Sequence, residues 1–415
     1  MTPTADLLMT AKFVEKNMRQ LAQRLDLIAP SPTLALDSKA KALKAAGQDI
    51  VNFGVGEPDF DTPAHIREAA VKAIRDGFTR YTPVDGIGEL KEAVCEKLKR
   101  DNGLDYKPSQ VVVSNGGKHS LFNIFLCLFQ PGDEVVIPTP AWVSYVPQIL
   151  LTGATPVLVR TSLANGYTIT PEELEAAVPP RTKGILINSP SNPTGMAYTA
   201  ERLKALAEVV IKNDLWVISD DIYEKIVFDD FKFANMPMVE PALYERTVIA
   251  HGWSKTYAMT GWRAGFLAGP EKVARSAAKL QSQTTANPSS ITQKAALAAF
   301  SGPQDTVTEM VRHFQRRRDL VMKLLGDIPG VTCPKPMGAF YVFPDVSAYF
   351  GKNSGETVIS NSDALADYLL EKAGTAIVPG TGFGDDKTLR LSYAVSDEDI
   401  TRGLGRIKEA LLSLK

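Results

Sequence analysis

The chain has 415 residues, of which 44% are hydrophobic and 22% are charged, and its formal net charge at pH 7 is -1. This composition is typical of a globular protein with two or three domains. The balanced charge provides no basic field for a nucleic-acid backbone, and no apolar run approaches the ~20 residues of a membrane helix, so we expect neither nucleic-acid nor membrane partners.

The cysteines and histidines indicate neither a disulfide framework nor a metal site. Cys95, Cys127 and Cys333 are odd in number and far apart, without C-x-x-C spacing, and the four histidines show no ligand spacing. A reducing compartment permits this cysteine usage, and we expect no bound metal. The N-terminal stretch lacks the basic end and apolar centre of a signal peptide, so we predict a cytoplasmic location.

The first predicted element is an amphipathic helix whose apolar residues run from Leu7 to Leu25, before Pro30 and Pro32 end it. It either packs on the surface or reaches a partner subunit as an arm. A second helical stretch, Ser38–Ala46, precedes Val51–Phe60. Two glycines and a proline in the latter let the backbone approach a ligand, although a lone G-x-G does not identify one.

Short β-branched runs then alternate with helical stretches. Such runs, apolar on both faces, indicate a mainly parallel sheet covered by helices on both sides. We therefore predict an α/β fold: residues 1–60 form an N-terminal arm and part of a small domain, and residues 61–302 form a large domain. Its seven predicted strands are Val111–Val113, Glu134–Ile137, Pro156–Val159, Ile185–Ile187, Trp216–Ile218, Val248–Ile249 and Phe266–Leu267.

Residues 303–415 have a different pattern and are predicted to form a small α+β domain. A long charged helix extends to Leu325. Its three consecutive arginines, Arg316–Arg318, are interpreted as a solvated helix face rather than a binding patch. Strand-like segments follow at Ala339–Phe343, Ala376–Val378 and Leu389–Tyr393.

Four of the predicted strands run into specialised polar segments. Because ligands bind at the carboxyl ends of the strands in open parallel sheets, these segments should converge on one crevice. The segments are Ser114–Lys118, Asn188–Gly195, Ser219–Tyr223 and His251–Lys255. Lys255 and Arg263 both lie in the loop between the last two strands, which is a common location for functional residues.

The turn Gly116–Lys118 stands at a predicted helix start, where free backbone N–H groups and the positive end of the helix dipole suit a phosphate. It is not a nucleotide P-loop, because that pattern requires a glycine at Val112 and a hydroxyl at His119. Ser254 and Arg263 add a hydroxyl and a fork of N–H donors, which suits one phosphate held without magnesium.

The predicted crevice also contains a lysine, an acid and a tyrosine. Each has an ordinary alternative: Lys255 as a surface lysine, Asp220 as a helix N-cap, and Tyr223 as a packed core aromatic. Their joint placement after sheet strands favours a site. A lysine beside an acid, in a site for one phosphate, fits a phosphorylated carbonyl cofactor held as a Schiff base.

These segments resemble the fold type I pyridoxal-phosphate enzymes, specifically the class I aminotransferases of the aspartate aminotransferase kind with a Gly-Gly-Lys phosphate turn. The resemblance extends from about residue 30 to the end of the chain, with many motifs in the same order. It is carried by Gly54–Phe60, Gly116–Lys118, Asn188–Gly195, Ser219–Tyr223, Ser254–Lys255, Gly261–Arg263 and Arg390–Tyr393. It implies the cofactor pyridoxal 5'-phosphate.

The resemblance also implies a role for each matching residue. Lys255 would bond to the cofactor and move the substrate proton, and Asp220 would keep the ring nitrogen protonated. Tyr223 and Asn192 would hydrogen-bond the phenolic oxygen, and Trp142 would stack on the ring. The phosphate would be held by Gly117, Lys118, Ser254 and Arg263, together with Tyr81 of the neighbouring subunit. The active unit would then be a homodimer with shared active sites.

For the substrate, the resemblance makes Arg390 a bidentate clamp on the α-carboxylate, with Gly56 beside it. A structural salt bridge is the alternative for Arg390. Lys118 would face the distal carboxylate, or it would only supplement the field around the phosphate. Another branch of the family uses a partner-subunit arginine instead, and Gln281–Pro288 contains no match for it. Trp142 and Asn192 would also border the substrate.

We therefore predict ping-pong transamination between aspartate and 2-oxoglutarate through the pyridoxamine form. An aminotransferase with another specificity, including prephenate, aromatic amino acids or alanine, is the main alternative. A carbon-sulfur lyase is a second, because fold does not fix reaction. A cofactor-binding transcription regulator is a third, but the ~40 residues before the first motif are too few for a DNA-binding domain.

Overall fold

The computed structural model of the protein describes residues 21–415. The helix predicted across Leu7–Leu25 falls outside the described residues except at its end, where Gln23–Leu25 form a 3-10 turn. The helix predicted around Ser38–Ala46 is present and begins earlier, at Pro32. Proline is well suited to that first turn, because its missing N–H would have no partner within the helix.

The elements of the described chain follow in order. The helices are α1 (Pro32–Ala45), α2 (Ala64–Arg75), α3 (Gly88–Asn102), α4 (Gly117–Leu128), α5 (Tyr145–Thr152), α6 (Pro171–Ala176), α7 (Ala200–Lys212), α8 (Met236–Val239), α9 (Glu271–Ser282), α10 (Ser290–Ser301), α11 (Asp305–Gly326), α12 (Ser362–Ala373) and α13 (Asp397–Ser413). The strands are β1 (Val51–Asn52), β2 (Val111–Ser114), β3 (Glu134–Thr139), β4 (Thr155–Arg160), β5 (Thr182–Asn188), β6 (Trp216–Asp220), β7 (Thr247–Gly252), β8 (Gly265–Ala268), β9 (Tyr341–Val342), β10 (Asn353–Ser354), β11 (Thr357–Val358), β12 (Thr375–Ala376), β13 (Val378–Pro379) and β14 (Leu389–Ser392).

The predicted α/β fold and its seven-stranded, mainly parallel sheet are confirmed. The strand order is β2-β8-β7-β6-β5-β3-β4, and only β8 runs against its neighbours in this sheet. Because β8 is reversed, its first residue, Gly265, pairs with Ser114 and with Gly252 at the carboxyl ends of β2 and β7. The loop that carries Arg263 therefore enters the same edge of the sheet at which the four polar segments end.

A separate hydrophobic core joins the start of the chain to its end. Val51 and Phe53 pack in a cluster of buried residues that come mostly from positions 310–414, together with Tyr223, Ile226 and Phe228, and β1 pairs in parallel with β12. A small antiparallel sheet, in the order β13-β14-β9, lies in the same region. This packing agrees with a small domain built from residues before 60 and after 303, whose boundaries remain predictions.

The interpretation of Arg316–Arg318 as a solvated face is wrong for two of the three residues. Arg318 is fully buried and pairs with Asp229 at 2.7 Å, and the Arg317 side chain is 9% exposed and pairs with Asp59 at 2.7 Å. Only Arg316 is largely exposed. Carboxylates from distant segments neutralise the two buried guanidinium groups, which makes their burial tolerable.

Candidate active site

The polar segments enclose one cavity of about 480 Å³. Among the predicted site residues, Tyr81 alone does not line it. The lining includes Gly56, Gly117, Lys118, Trp142, Asn192, Asp220, Tyr223, Ser254, Lys255, Arg263 and Arg390. Residues 21–415 contain no cluster of His, Cys, Asp and Glu side chains suited to a metal ion. None of the helices in that range is long and apolar enough to cross a membrane.

Lys255 follows the end of β7 and projects its amine into this cavity. Nζ donates a hydrogen bond to the backbone carbonyl of Gly56. Burial lowers the pKa of Lys255 to about 8, and Arg390 and Arg263 act in the same direction while Glu57 and Asp220 oppose it. A substantial fraction of the amine is therefore neutral and nucleophilic near pH 8.

Asp220 is the last residue of β6 and is buried. Its Oδ2 accepts a 2.6 Å hydrogen bond from the hydroxyl of Tyr145, while the N–H of Ile222 makes a longer, 3.4 Å bond to Oδ1. Burial raises the pKa of Asp220 to about 6, and the hydrogen bond from Tyr145 partly offsets that rise. The carboxylate is thus held in position but lacks a full charge partner among the described residues.

Arg390 lies on β14 and is 2% exposed. Its guanidinium donates to Oδ1 of Asn192 at 3.1 Å and to the carbonyl oxygen of Gly54 at 2.8 Å. It also stacks on Tyr341, with 4.7 Å from Cζ to the ring centroid. No carboxylate within residues 21–415 pairs with it, which contradicts the structural salt bridge considered above. Burial lowers the pKa of Arg390, and a bound anion would compensate the buried charge.

Tyr223 and Asn192 line the cavity from the segments that follow β6 and β5. The hydroxyls of Tyr223 and Tyr341 are 3.0 Å apart, and burial raises the pKa of Tyr223 well above its ordinary value. The backbone N–H of Asn192 donates to Asn188 Oδ1 at 3.0 Å, and Asn188 in turn donates to the Asp220 carbonyl at 2.9 Å. The segments after β5 and β6 are therefore tied together at the cavity.

The Gly116–Gly117 turn is shaped by close packing. Gly116 has φ +91°, and a Cβ at that position would collide with the guanidinium of Arg263. A Cβ at Gly265 would collide with the backbone of Gly116 and Gly117. Arg263 donates to the carbonyl of Thr260 at 2.9 Å and has no carboxylate partner in the described chain. Helix α4 begins at Gly117, so its free N–H groups and the unpaired guanidinium suit a phosphate.

Lys118 and Trp142 form a pair on one wall. Nζ of Lys118 lies 4.9 Å from the centroid of the Trp142 ring, and the lysine has no acidic partner in the part of the chain described. Burial lowers the pKa of Lys118, with a further contribution from Arg263. An anion that binds beside Trp142 would therefore be attracted by the positive charge of Lys118.

Tyr81 lies apart from this cavity and is 92% exposed. Its ring is therefore open to contact with another molecule.

Several cavity residues escaped sequence reasoning. The hydroxyl of Tyr145 hydrogen-bonds Asp220, and the hydroxyl of Tyr341 hydrogen-bonds that of Tyr223. The start of the chain also contributes Ser31, Thr33, Asp37 and Lys41. A signal was available for Tyr145, which follows Trp142 by three residues in the segment after β3. Tyr341 and the residues of α1 reach the cavity only through tertiary packing.

The chain is similar to known proteins over nearly its whole length. Residues 48–407 match the family described as "Aminotransferase class I and II". The aspartate/prephenate aminotransferase of Cereibacter sphaeroides is 51% identical over 393 residues, which cover 94% of this chain and 98% of that protein. The aspartate aminotransferase of Geobacillus stearothermophilus is 48% identical over 388 residues, with 94% and 98% coverage.

Solved structures give the same result. The aspartate aminotransferase from Rhizobium meliloti superimposes with a TM-score of 0.93 at 43% identity, covering 96% of this chain and 100% of that one. The Thermus thermophilus aspartate aminotransferase with maleate superimposes with a TM-score of 0.89 at 39% identity, covering 95% and 100%. The fold is that of the fold type I aminotransferases, and the chain belongs to the class I and II aminotransferase family.

Proposed function

We propose that the protein transfers an amino group between L-aspartate and 2-oxoglutarate, giving oxaloacetate and L-glutamate, with pyridoxal 5'-phosphate as cofactor. The observation that carries the proposal is that Arg390 and Lys118 line the same cavity as Lys255 and that neither has a carboxylate partner within residues 21–415. A dicarboxylic amino acid supplies a partner for each of the two cations.

The cavity residues fit pyridoxal phosphate. Lys255 offers an amine, the turn at Gly117 with Ser254 and Arg263 offers donors for a phosphate, and Asp220 offers a buried carboxylate with no full charge partner. When bound, the cofactor supplies a carbonyl group for covalent attachment and a ring that withdraws electrons from the substrate's Cα.

Lys255 and Asp220 carry the chemistry in this proposal. Because its pKa is lowered to about 8, Lys255 could attach to the carbonyl as a neutral amine with loss of water. Once the substrate amine displaces it, the freed Nζ could accept and return the Cα proton. Asp220 would keep a proton on the ring nitrogen, and that proton would give the buried carboxylate the charge partner it otherwise lacks.

Other side chains hold the cofactor. Tyr223 and Asn192 would hydrogen-bond the phenolic oxygen, and Trp142 would pack on the ring. The backbone at Gly117 and Lys118 and the side chains of Ser254 and Arg263 would bind the phosphate.

The substrate is oriented by its two carboxylates. Arg390 binds the α-carboxylate, close to the backbone of Gly56, with Asn192 hydrogen-bonded to the same guanidinium at 3.1 Å. Lys118 binds the distal carboxylate beside Trp142, with its charge available because no acid neutralises it in the described chain. This arrangement disfavours substrates with an apolar side chain, because they make no charge-assisted contact with the ammonium of Lys118.

The printed names of the relatives support this substrate class. Three are called aspartate aminotransferase and one aspartate/prephenate aminotransferase. Prephenate is therefore the second amino acceptor to test, since it also carries two carboxylates.

We also propose that the active unit is a homodimer in which Tyr81 reaches the phosphate of the neighbouring subunit. The 92% exposure of Tyr81 supports this, because its ring is free to contact another chain. The three cysteines are free, which fits the reducing conditions of a cytoplasmic location.

The proposed function is tested by adding single amino acids to the cofactor-loaded protein and following the absorbance of the bound cofactor. We expect L-aspartate and L-glutamate to convert it fully, and oxaloacetate, 2-oxoglutarate or prephenate to reverse the change. Conversion by alanine or phenylalanine but not by aspartate would contradict the substrate assignment. Release of pyruvate from cystathionine without a keto acid would favour a carbon-sulfur lyase instead.

A further inference from the structure

The backbone carbonyl that accepts a hydrogen bond from Arg390 lies one residue beyond the last backbone hydrogen bonds to neighbouring segments. Phe53 is fixed on both sides: its N–H donates to the carbonyl of Ala376 at 2.9 Å, and its carbonyl accepts from Ser392 at 2.8 Å. Gly54, the next residue, has its carbonyl 2.8 Å from Nη2 of Arg390. The acceptor that orients this guanidinium therefore lies just past the backbone pairing of the strand.

Gly54 is instead held by a side chain. Its N–H donates to Oδ1 of Asn52 at 2.9 Å, and Nδ2 of Asn52 donates to Oδ1 of Asp37 at 3.0 Å. The other oxygen of Asp37 pairs with Lys41 at 2.7 Å. An asparagine amide can accept and donate at the same time, so one side chain links the glycine to the helix.

Helix α1 also packs directly on this glycine. A Cβ added to Gly54 would lie 3.0 Å from Cδ2 of Leu36, which is the neighbour of Asp37 on α1. Asp37 and Lys41 themselves line the cavity. The helix thus contacts both the cavity and the residue that orients Arg390.

We infer that Asn52 and Asp37 are positioning residues for Arg390, which binds the α-carboxylate in the proposed function. They act by fixing Gly54, whose carbonyl accepts a hydrogen bond from the Arg390 guanidinium. The relay runs from α1 through Asp37, Asn52 and Gly54 to the guanidinium, and it makes the position of α1 part of carboxylate recognition. The inference rests on the proposed role of Arg390 in binding the substrate. It concerns binding rather than proton transfer, because none of the relay side chains contacts Lys255 or Asp220.

The test compares Asn52→Ala, Asp37→Ala and Asp37→Asn in the cofactor-loaded enzyme, with maleate as an unreactive dicarboxylate probe. We expect Asn52→Ala to raise the Kd of maleate and the KM of aspartate about 10-fold, with kcat within about 3-fold of wild type, because one hydrogen-bonded link behind the clamp is lost. The KM of alanine should rise by a similar factor, since both substrates share the α-carboxylate. Asp37→Ala should give a smaller loss of the same kind.

Asp37→Asn should restore wild-type KM and Kd, because its amide oxygen still accepts from Asn52. Lys39→Ala is the matched control: its exposed pair with Asp367, at 3.4 Å, links the same helix to α12 without touching the relay. It should behave as wild type. Thermal unfolding of each variant identifies any loss of fold.

Wild-type KM and maleate Kd in a folded Asn52→Ala protein would overturn the relay. So would a fall in kcat with unchanged KM, or losses in Asp37→Asn equal to those in Asp37→Ala. Failure of the wild-type protein to bind maleate or convert aspartate would instead reject the proposed function itself. The two failures are therefore distinguishable.

Discussion

The hydroxyl of Tyr145 donates a 2.6 Å hydrogen bond to Oδ2 of Asp220 inside the protein. This bond favours the ionised form of a carboxylate whose pKa burial has raised to about 6. Tyr145 therefore supports the charge that Asp220 needs in order to pair with a protonated ring nitrogen.

We expect Tyr145→Phe to lower kcat about 10-fold, because a hydrogen bond to a charged group contributes about 1.5–3 kcal/mol. Steady-state rates with saturating aspartate measure the effect. The same truncation at Tyr198, whose hydroxyl accepts from the N–H of Ile169, serves as the control and should leave kcat unchanged. Equal rates in wild type and Tyr145→Phe would show that Asp220 does not depend on this donor.

Asp220 also makes stability depend on pH in the cofactor-free protein. Its folded-state pKa of about 6 is above the unfolded value of about 3.9, so the folded protein binds the extra proton between these values. Stability therefore falls as pH rises through that window. We expect Asp220→Asn to remove about 3 kcal/mol of this loss, so in urea unfolding the free energy of unfolding of the variant minus that of wild type should rise between pH 4 and pH 7. A difference that does not change with pH would contradict the raised pKa.

The prediction for Lys118 concerns specificity. Its amine has no acidic partner among residues 21–415 and sits 4.9 Å over the Trp142 ring. We expect Lys118→Ala to lower kcat/KM for aspartate at least 10-fold more than for alanine or phenylalanine, because only aspartate loses a charge-assisted contact. Equal losses for all three amino acids would assign Lys118 to the phosphate alone.

A buried ion pair lies close to the carboxyl ends of β6 and β7, since Glu224 follows β6 and His251 belongs to β7. Lys97 pairs with Glu224, and both side chains are 2% exposed; Lys97 also donates to Asn102 at 2.8 Å, and His251 lies 3.4 Å from Glu224. Burial alone would raise the pKa of Glu224, but Lys97 and His251 hold it well below its usual range. Removing the lysine would leave a buried carboxylate with too little positive charge around it.

We expect Lys97→Met to lower the free energy of unfolding by about 3–5 kcal/mol, as broken buried pairs do. Denaturant unfolding of the cofactor-free protein measures the change. Lys99 lies on the same helix as Lys97 and makes an exposed pair with Asp105. Lys99→Met should therefore change the free energy of unfolding little. If the two variants lost the same stability, the buried pair would have no special structural role.

The central part of this architecture could be predicted from sequence because buried parallel strands are continuous apolar runs. Each of the seven predicted strands is present, and the polar segments after β2, β5, β6 and β7 meet at one cavity. The segments after residue 303 are harder to predict. Ala339 lies in a predicted strand, yet its φ of +58° is incompatible with extended structure, and only Tyr341–Val342 pairs. The apolar run Ala376–Val378 is shared between two short strands, β12 and β13.

The residues missed by sequence reasoning act through contacts between distant segments. Asn52 and Asp37 follow no motif of their own, and their link to Arg390 spans more than 330 positions of the chain. Arg317 and Arg318 look like solvated charges until Asp59 and Asp229 are brought against them. Local patterns indicate which face of an element is apolar, but they do not indicate which carboxylate or amide from elsewhere will meet a given side chain.

The covalent role of Lys255 is the central claim, and borohydride reduction of the cofactor-loaded protein tests it most directly. Reduction converts the bond between cofactor and lysine into a stable secondary amine, which mass spectrometry of peptides can locate. We predict one labelled peptide, containing Lys255, and loss of that label in Lys255→Ala. A label on Lys118 or another lysine, or no label at all in a protein that binds the cofactor, would contradict the account.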